Sequence, residues 1–338
     1  MRAPLFWNRP RAARGVKPLL LAPLAAVWTA ATRWRLAKGA WEKMPVPVVC
    51  VGNINAGGTG KTPSVIALLG MFDAAGITAH VVSRGYGGAL EGPVRVDERR
   101  HSADDVGDEP LQISTFGLCW VSKDRRAGIL AAVKAGAEVV LLDDGFQNPA
   151  MAKDLNIVVV DAEVGFGNGM VMPAGPLREP LKDGLKRADV LLTIGPEAAQ
   201  KRLEAEWPEI AGLPRWQASL QPLAMGIDWN GMVCLAFAGI GRPGKFFASL
   251  KRAGAEVVAT RAFPDHAPYS DAVLQRLKAE AWGKGANLVT TEKDVARLPA
   301  HFKPEVMAFP VRLVFDNPEG VRAALSAWAA EQGIDKAL

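Results

Sequence analysis

The sequence is poor in the residues that build metal clusters and disulfide frameworks. Its 338 residues include only four histidines and three cysteines. Cys50, Cys119 and Cys234 are odd in number and far apart, and each sits in an apolar stretch. That pattern excludes a disulfide scaffold and a Cys/His zinc site, and it predicts reduced core thiols in a cytosolic compartment. Leu19–Thr32 (LLLAPLAAVWTAAT) is uncharged. It falls short of the roughly 20 residues that cross a bilayer, and Pro23 interrupts it. Acidic charge is scarce at the N-terminus. Glu42 is the only acid in the first 45 residues, against Arg2, Arg9, Arg11, Arg14, Lys17, Arg33, Arg35, Lys38 and Lys43.

A basic end of this kind suits nucleic acid or an anionic membrane, and charge alone does not choose between them. Trp7, Trp28, Trp34 and Trp41 lie along the same segment, and tryptophan beside basic residues suits a membrane–water interface. The basic stretch after the apolar run and the lack of a small-residue cleavage site argue against a signal peptide. The competing reading is a helix packed on the protein's own core.

The rest has globular composition. It is 49% hydrophobic and 22% charged, carries a net charge of +5, and is long enough for two domains. Short apolar runs at Val46–Val51, Thr78–Ser83, Leu118–Ser122, Val139–Leu142, Ile157–Val160 and Val190–Ile194 read as strands. Helices are predicted after several of them, at Thr62–Ala74, Glu109–Thr115 and Arg126–Ala135. Strands alternating with helices predict a parallel sheet covered on both faces. The polar stretch Gly85–Gly107 is longer than an ordinary connection, as functional or mobile loops are. A second series begins near Gly231: strands at Val233–Ala238, Glu256–Thr260, Leu288–Thr291 and Val311–Val314, with helices at Lys245–Arg252, Asp271–Ala281 and Glu319–Glu331. Glu197–Trp229 is rich in Pro, Trp and charge and reads as a linker region. The expected division is a basic, apolar segment over 1–44, an α/β domain of P-loop NTPase type over 45–228, and a smaller α/β lobe over 229–338.

The strand at Val46–Val51 runs into Gly52-Asn53-Ile54-Asn55-Ala56-Gly57-Gly58-Thr59-Gly60-Lys61-Thr62-Pro63. Gly60, Lys61 and Thr62 match the end of the phosphate-loop pattern G-x-x-x-x-G-K-[ST], with Asn55 where its first glycine stands. Glycines let successive N–H groups converge on one anion, and the following helix adds its positive end. Asn55 to Thr62 are therefore the candidate nucleotide-binding residues. Lys61 supplies a full charge to the β- and γ-phosphates, and the Thr62 hydroxyl is placed for Mg²⁺. Pro63 is tolerated in a first helical turn. Val139–Leu142 ends in Asp143 and Asp144, an apolar strand closing on carboxylates at the edge where open α/β sheets bind ligands. Those two aspartates are the candidate metal holders; the bland alternative is an ordinary turn. The loop is also similar to that of partitioning ATPases, which carry a signature lysine where this chain has Ala56.

Eight runs, in order, carry a resemblance that covers most of the chain: GNINAGGTGKTP (Gly52–Pro63), SRGYGG (Ser83–Gly88), VGDEP (Val106–Pro110), LLDDGFQ (Leu141–Gln147), PAGPLREP (Pro173–Pro180), AFAGIG (Ala236–Gly241), FPDH (Phe263–His266) and TTEKD (Thr290–Asp294). The chain resembles the tetraacyldisaccharide 4′-kinase family of lipid A biosynthesis. The resemblance implies an ATP- and Mg²⁺-dependent kinase acting on the 4′-hydroxyl of an acylated disaccharide phosphate at the cytoplasmic face of the inner membrane. It implies no nucleic-acid partner and no obligate protein partner. By the same resemblance Asp108 is the general base and His266 pairs with it, a site between two lobes whose closure would exclude water. Read alone, Asp108 is better taken as a helix cap and His266 as a satisfied loop residue; only the resemblance reverses this. Arg84, Gln147, Arg125, Arg178 and Glu179 are weaker substrate candidates, with surface salt bridges as the alternative for the charged ones. Two positions depart from the family run: Asn148 stands where histidine is common, and Ala267 follows His266 where a second histidine is common. The N-terminal segment then reads as the membrane contact, with Leu19, Leu20, Leu21, Leu24, Val27 and Trp28 among acyl chains. The competing classes are a partition-type ATPase switch, which predicts nucleotide-driven dimerisation, and a dethiobiotin-synthetase-like ligase, which predicts a soluble substrate.

Overall fold

Runs such as Val48-Val49-Cys50-Val51 have no polar face, so both faces of their sheet must be covered. The computed structural model describes residues 4–223, 226–265, 267–334, 336 and 338. In chain order it contains α1 (Val16–Ala37), β1 (Val48–Gly52), α2 (Lys61–Ala74), β2 (Ala79–Ser83), β3 (Val94–Arg95), α3 (Ala103–Val106), α4 (Asp108–Ser114), β4 (Cys119–Val121), α5 (Arg125–Lys134), β5 (Val139–Asp143), β6 (Leu155–Asp161), α6 (Leu181–Leu185), β7 (Val190–Ile194), α7 (Glu197–Glu206) and β8 (Arg215–Pro222). There follow β9 (Val233–Ala238), α8 (Pro243–Arg252), β10 (Glu256–Ala262), α9 (Asp271–Gly283), β11 (Asn287–Thr291), α10 (Glu292–Arg297), β12 (Met307–Phe309), β13 (Val311–Phe315) and α11 (Pro318–Glu331).

Residues up to 220 together with 313–338 form the larger unit, and 221–312 form the smaller. The larger unit is built on a nine-stranded sheet in the order β13-β8-β7-β6-β1-β5-β2-β4-β3. The pairings from β8 through β4 are parallel, and β3 pairs antiparallel with β4. Side chains alternate between its faces. Val49, Val51, Val139 and Leu141 point to a core completed by Leu68 and Phe72 of α2 and by Leu325 and Trp328 of α11. Val48, Cys50, Val140 and Leu142 point to the other, with Ile129 of α5, Leu203 of α7 and Ala25 of α1. The smaller unit is a parallel sheet, β10-β9-β11-β12. Phe246 and Leu250 of α8 cover one face of it, and Leu274 and Leu277 of α9 the other.

Three expectations change. Glu197–Trp229 contains the boundary between the units, at 220/221, but most of it is not a linker: it holds α7 and β8, and Trp216 and Ala218 of β8 alternate inward onto the larger core. Prolines and charges around that alternation hid it. The long polar stretch contains β3 and α3, the latter started by a capping box in which Ser102 and Asp105 satisfy each other's backbone N–H groups. The C-terminal segment expected in a 229–338 lobe returns to the larger unit, because the apolar face of α11 is buried there.

α1 has two apolar sides. Pro18, Ala25, Thr32 and Leu36 are buried along one stripe, while Leu19, Leu20, Leu24, Val27, Trp28 and Trp34 are exposed, Leu20 by 74%. Among the described residues no helix is long and apolar enough to cross a membrane. Part of the basic N-terminus is already engaged. Arg11 pairs with Glu209 at 2.6 Å, Arg14 donates to the Asn168 carbonyl at 2.8 Å, and Arg33 pairs with Asp183 at 2.6 Å.

Candidate phosphoryl-transfer site

β1 and β5 are hydrogen-bonded neighbours, so the loops leaving their C-terminal ends emerge side by side. The first loop turns through Gly57 and Gly60, with φ of +113° and +98°. Those left-handed angles favour glycine and explain why the loop is written with it. α2 starts at Lys61 with Gly60 as its cap, so free N–H groups and the helix dipole face the same point. The buried Asn53 holds the loop's shape by donating to the Gly57 carbonyl at 3.2 Å and the Thr59 hydroxyl at 3.1 Å.

The departure at Asn55 has a structural use. Its side-chain amide donates to the Gly165 carbonyl at 2.9 Å, and its backbone bridges antiparallel to Leu177. The Ala56 N–H donates to the Pro176 carbonyl at 2.7 Å. The Pro173–Pro180 run is thus a strap along the entrance to the loop. Of the candidate nucleotide ligands, Asn55 and Ala56 spend these groups on Gly165 and the strap, leaving Gly57–Thr62 as the candidate cradle.

At the end of β5, Asp143 is buried and accepts from the Ser83 hydroxyl at 3.0 Å. Burial pushes its carboxyl up to about 6, helped by the charges of Glu109 and Asp144 and opposed by Lys61 and the Ser83 bond. Asp144 has a φ of +55°, which turns its side chain out of the strand direction. Burial pushes Asp144 upward too, but Lys61, Arg178 and Arg125 outweigh it and hold this carboxyl below its ordinary value. Lys61 Nζ lies 3.7 Å from Asp144 Oδ2. Two neighbouring carboxylates pushed in opposite directions around one lysine are typical of reactive sites.

The weaker candidates sort by position. Arg178 grips Asp144 with both guanidinium arms, at 2.7 and 3.1 Å, and reaches Gln147 Oε1 at 3.2 Å. Gln147 donates to the Asn53 carbonyl at 2.8 Å and to Glu179 at 3.0 Å. Glu179 is 1% exposed and accepts at both oxygens from Arg187 at 2.8 Å besides the Gln147 bond, so it is a buried anchor of the strap. Arg125 is buried beneath the acidic turn, donating to the Asp143 and Asp144 carbonyls at 3.2 and 3.3 Å. Arg84 is exposed just beyond β2, and its charge helps to depress Arg125 after burial and despite both aspartates. Asn148 makes a local turn, accepting from the Ala150 N–H at 3.0 Å.

Asp108 is buried as the first residue of α4, with Gly107 in the cap position, so it is not itself the cap. It belongs to the larger unit, whereas His266 falls in the smaller one and lies outside the described residues. What sequence reasoning missed in the smaller unit is a hub on Asp294. This fully buried carboxylate accepts from Tyr269 at 2.8 Å, Thr291 at 2.7 Å and the Gly239 N–H at 3.1 Å, and it pairs with Arg297. Arg297 in turn bonds the Gly239 and Ala267 carbonyls at 2.8 and 3.4 Å. The AFAGIG and TTEKD runs, noted only for resemblance, therefore meet in one network that also takes in Ala267 and Tyr269.

The Thr62 hydroxyl and the carboxylates of Asp143 and Asp144 are hard oxygen donors of the kind Mg²⁺ takes alongside substrate phosphates. Among the described residues no group of three or more His, Cys, Asp or Glu side chains is placed to hold a metal alone.

A family model described as tetraacyldisaccharide-1-P 4'-kinase matches residues 18–330. A tetraacyldisaccharide 4'-kinase of Dinoroseobacter shibae is 56% identical over 326 residues, covering 96% of this chain and 97% of the relative. One from a Jannaschia species is 54% identical over 317 residues, covering 94% and 96%. The crystal structure of the "apo" form of LpxK from Aquifex aeolicus in complex with ATP superposes with a TM-score of 0.72 at 27% identity, covering 93% of this chain and 99% of that one.

Proposed function

The chain belongs to the tetraacyldisaccharide-1-P 4'-kinase family, and from that premise we propose that it transfers the γ-phosphoryl group of ATP to the 4′-hydroxyl of an acylated disaccharide 1-phosphate. The observation that carries the phosphoryl-transfer part is Lys61, at the mouth of a glycine-lined cradle, facing Asp144 across 3.7 Å. In this reading the Gly57–Thr62 N–H groups and Lys61 bind the phosphates and neutralise charge as it moves to the leaving oxygen. Thr62, Asp143 and Asp144 would hold Mg²⁺, which would supply further charge neutralisation on the phosphates. Asp108 accepts the proton of the sugar hydroxyl during attack, and His266 orients Asp108; the family resemblance supports both roles. A proton acceptor is required because a sugar hydroxyl is a weak nucleophile at neutral pH.

The acceptor is held in a membrane, so its kinase must work at the surface. The exposed apolar row of α1, with Lys17, Arg35 and Lys38 beside it, supports flat, peripheral docking on the cytoplasmic leaflet of the inner membrane. The decisive experiment incubates the full-length protein with ATP, Mg²⁺ and a tetraacyl disaccharide 1-phosphate in detergent micelles and follows label into lipid. Transfer to the 4′ position is the expected result. Lipid-independent ATP hydrolysis without transfer would overturn the reading.

A further inference from the structure

Arg178 is a junction of three elements. Its guanidinium holds both oxygens of Asp144. Its N–H donates to the Ile54 carbonyl at 2.7 Å, just ahead of the phosphate loop. Its own carbonyl accepts at 2.9 Å from the indole Nε1 of Trp28, which projects from α1. One residue thus ties the exposed apolar helix, the entrance to the nucleotide loop and the acidic turn.

We propose that Trp28 is a positioning residue for phosphoryl transfer: its indole N–H fixes the main chain of Arg178, and Arg178 fixes Asp144 against Lys61. This inference rests on the kinase reading above. Three observations argue for it. Asp144 leaves β5 in a left-handed conformation, so partners outside the strand determine where its carboxylate points. Of its cationic partners, Arg178 approaches to 2.7 Å and Lys61 only to 3.7 Å, so a shift of Arg178 moves the carboxylate relative to the lysine. Trp28 is 45% exposed, so its ring meets solvent or lipid while its N–H is committed inward. A tryptophan serving only as an apolar anchor has no need of that bond. The Arg33–Asp183 pair at 2.6 Å fixes the next turns of the same helix to α6, close to the strap, so α1 and the strap move together. A helix seated on a lipid surface is thereby wired to the carboxylate beside the transferred phosphate.

The test uses the full-length protein, the lipid acceptor in mixed micelles, and phosphatidylethanolamine–phosphatidylglycerol vesicles for binding. Trp28→Phe keeps an apolar ring at a half-exposed site, so folding is retained, but removes the donor. Loss of one such bond predicts a fall in kcat of roughly 3- to 10-fold. The KM for ATP and vesicle binding should stay within about twofold of wild type, which a purely structural or anchoring role would not give. In an Arg178→Lys background, where the fork on Asp144 is lost, Trp28→Phe should add little further loss. An unchanged kcat, a loss confined to vesicle binding or lipid KM, or the same factor in both backgrounds would each overturn the inference while leaving the kinase reading intact. Absence of transfer by the wild type would instead remove the reading on which it rests.

Discussion

Gly52 is the last residue of β1, and a methyl group there tests how tightly the two phosphate-site loops are packed. A Cβ at this position would stand 2.4 Å from Phe146 Cβ, 3.2 Å from its N and 3.4 Å from its Cα. Ordinary carbon–carbon contact is about 3.5–4.0 Å, so the neighbour must retreat by roughly 1 Å. No rotamer provides the retreat, because Phe146 Cβ is fixed to the backbone of the turn that carries Asp143 and Asp144. Gly52→Ala should therefore destabilise the larger unit by about 1–3 kcal/mol, the usual cost of overpacking. A displacement near 1 Å at catalytic groups costs about 10²-fold in rate, so kcat should fall by that order. Gly70 is the control. It lies inside α2 with nothing within 4 Å of its virtual Cβ, so Gly70→Ala should stabilise by about 0.5–1 kcal/mol through helix propensity alone. Urea denaturation, with hydrogen exchange to assign the transition to the larger unit, measures stability, and transfer of labelled phosphate to lipid measures turnover. Wild-type stability and turnover in Gly52→Ala, or equal losses at both glycines, would refute the steric argument.

Asp108→Asn should lower kcat by about 10²–10⁴-fold with ATP affinity nearly unchanged, read by transfer kinetics and nucleotide titration; near-normal turnover would remove Asp108 from the base role. Asp294→Ala should cost about 3–5 kcal/mol, because it strands Arg297 and three other donors in a buried network, and hydrogen exchange should place the loss in the smaller unit. Burial holds the Lys153 ammonium down at about 8 against an ordinary 10.5. Both folded and unfolded chains are protonated there below pH 8, with the burial cost in force. Between about 8 and 10.5 the unfolded chain holds the extra proton, so this group makes stability rise with pH, by at most about 1.4 kcal/mol per pH unit. The three buried thiols, all raised by burial, give the opposite slope. The difference between wild type and Lys153→Met isolates the lysine, and a flat difference across pH 8–9.5 would contradict its depression. Reversing Lys17, Arg35 and Lys38 to glutamate should weaken binding to anionic vesicles and flatten its salt dependence. Deleting residues 1–14 is a poorer probe, because it also removes the Arg11 and Arg14 contacts to the protein.

Local signals spoke clearly where one run decided one element. The apolar stretch before the glycines, the helix from Lys61 and the strand ending in two aspartates were all legible, since each follows from a period or a terminus. β8 was not legible because its inward pair, Trp216 and Ala218, is framed by residues of linker composition. Its role appears only when a sheet neighbour supplies the other half of the pattern. The same limit governs the site. Lys61, Thr62, Asp143 and Asp144 sit on motifs with a mechanism of their own. Asn53, Arg187 and Asp294 work through partners up to 94 residues away, as in the Gln147–Asn53 bond, and no spacing rule announces such bonds. Glu179 drew notice by resemblance as a substrate contact, yet its burial makes it a support for the strap.

The return of the C-terminus to the larger unit gives the chain a schedule as well as a shape. During synthesis, β8 leaves the ribosome more than 90 residues before β13 and α11, with the smaller unit emerging between them. Until then the nine-stranded sheet lacks its last strand, and Phe72 lacks Trp328 and Leu325 across the core. The smaller unit holds its sheet within one continuous segment and can fold as it emerges. The loop after β1 is thus set on a sheet whose last strand, β13, is made only after the whole smaller unit. Truncation within α11 should therefore be felt at α2, as persistent exposure of Leu68 and Phe72 and prolonged association with chaperones.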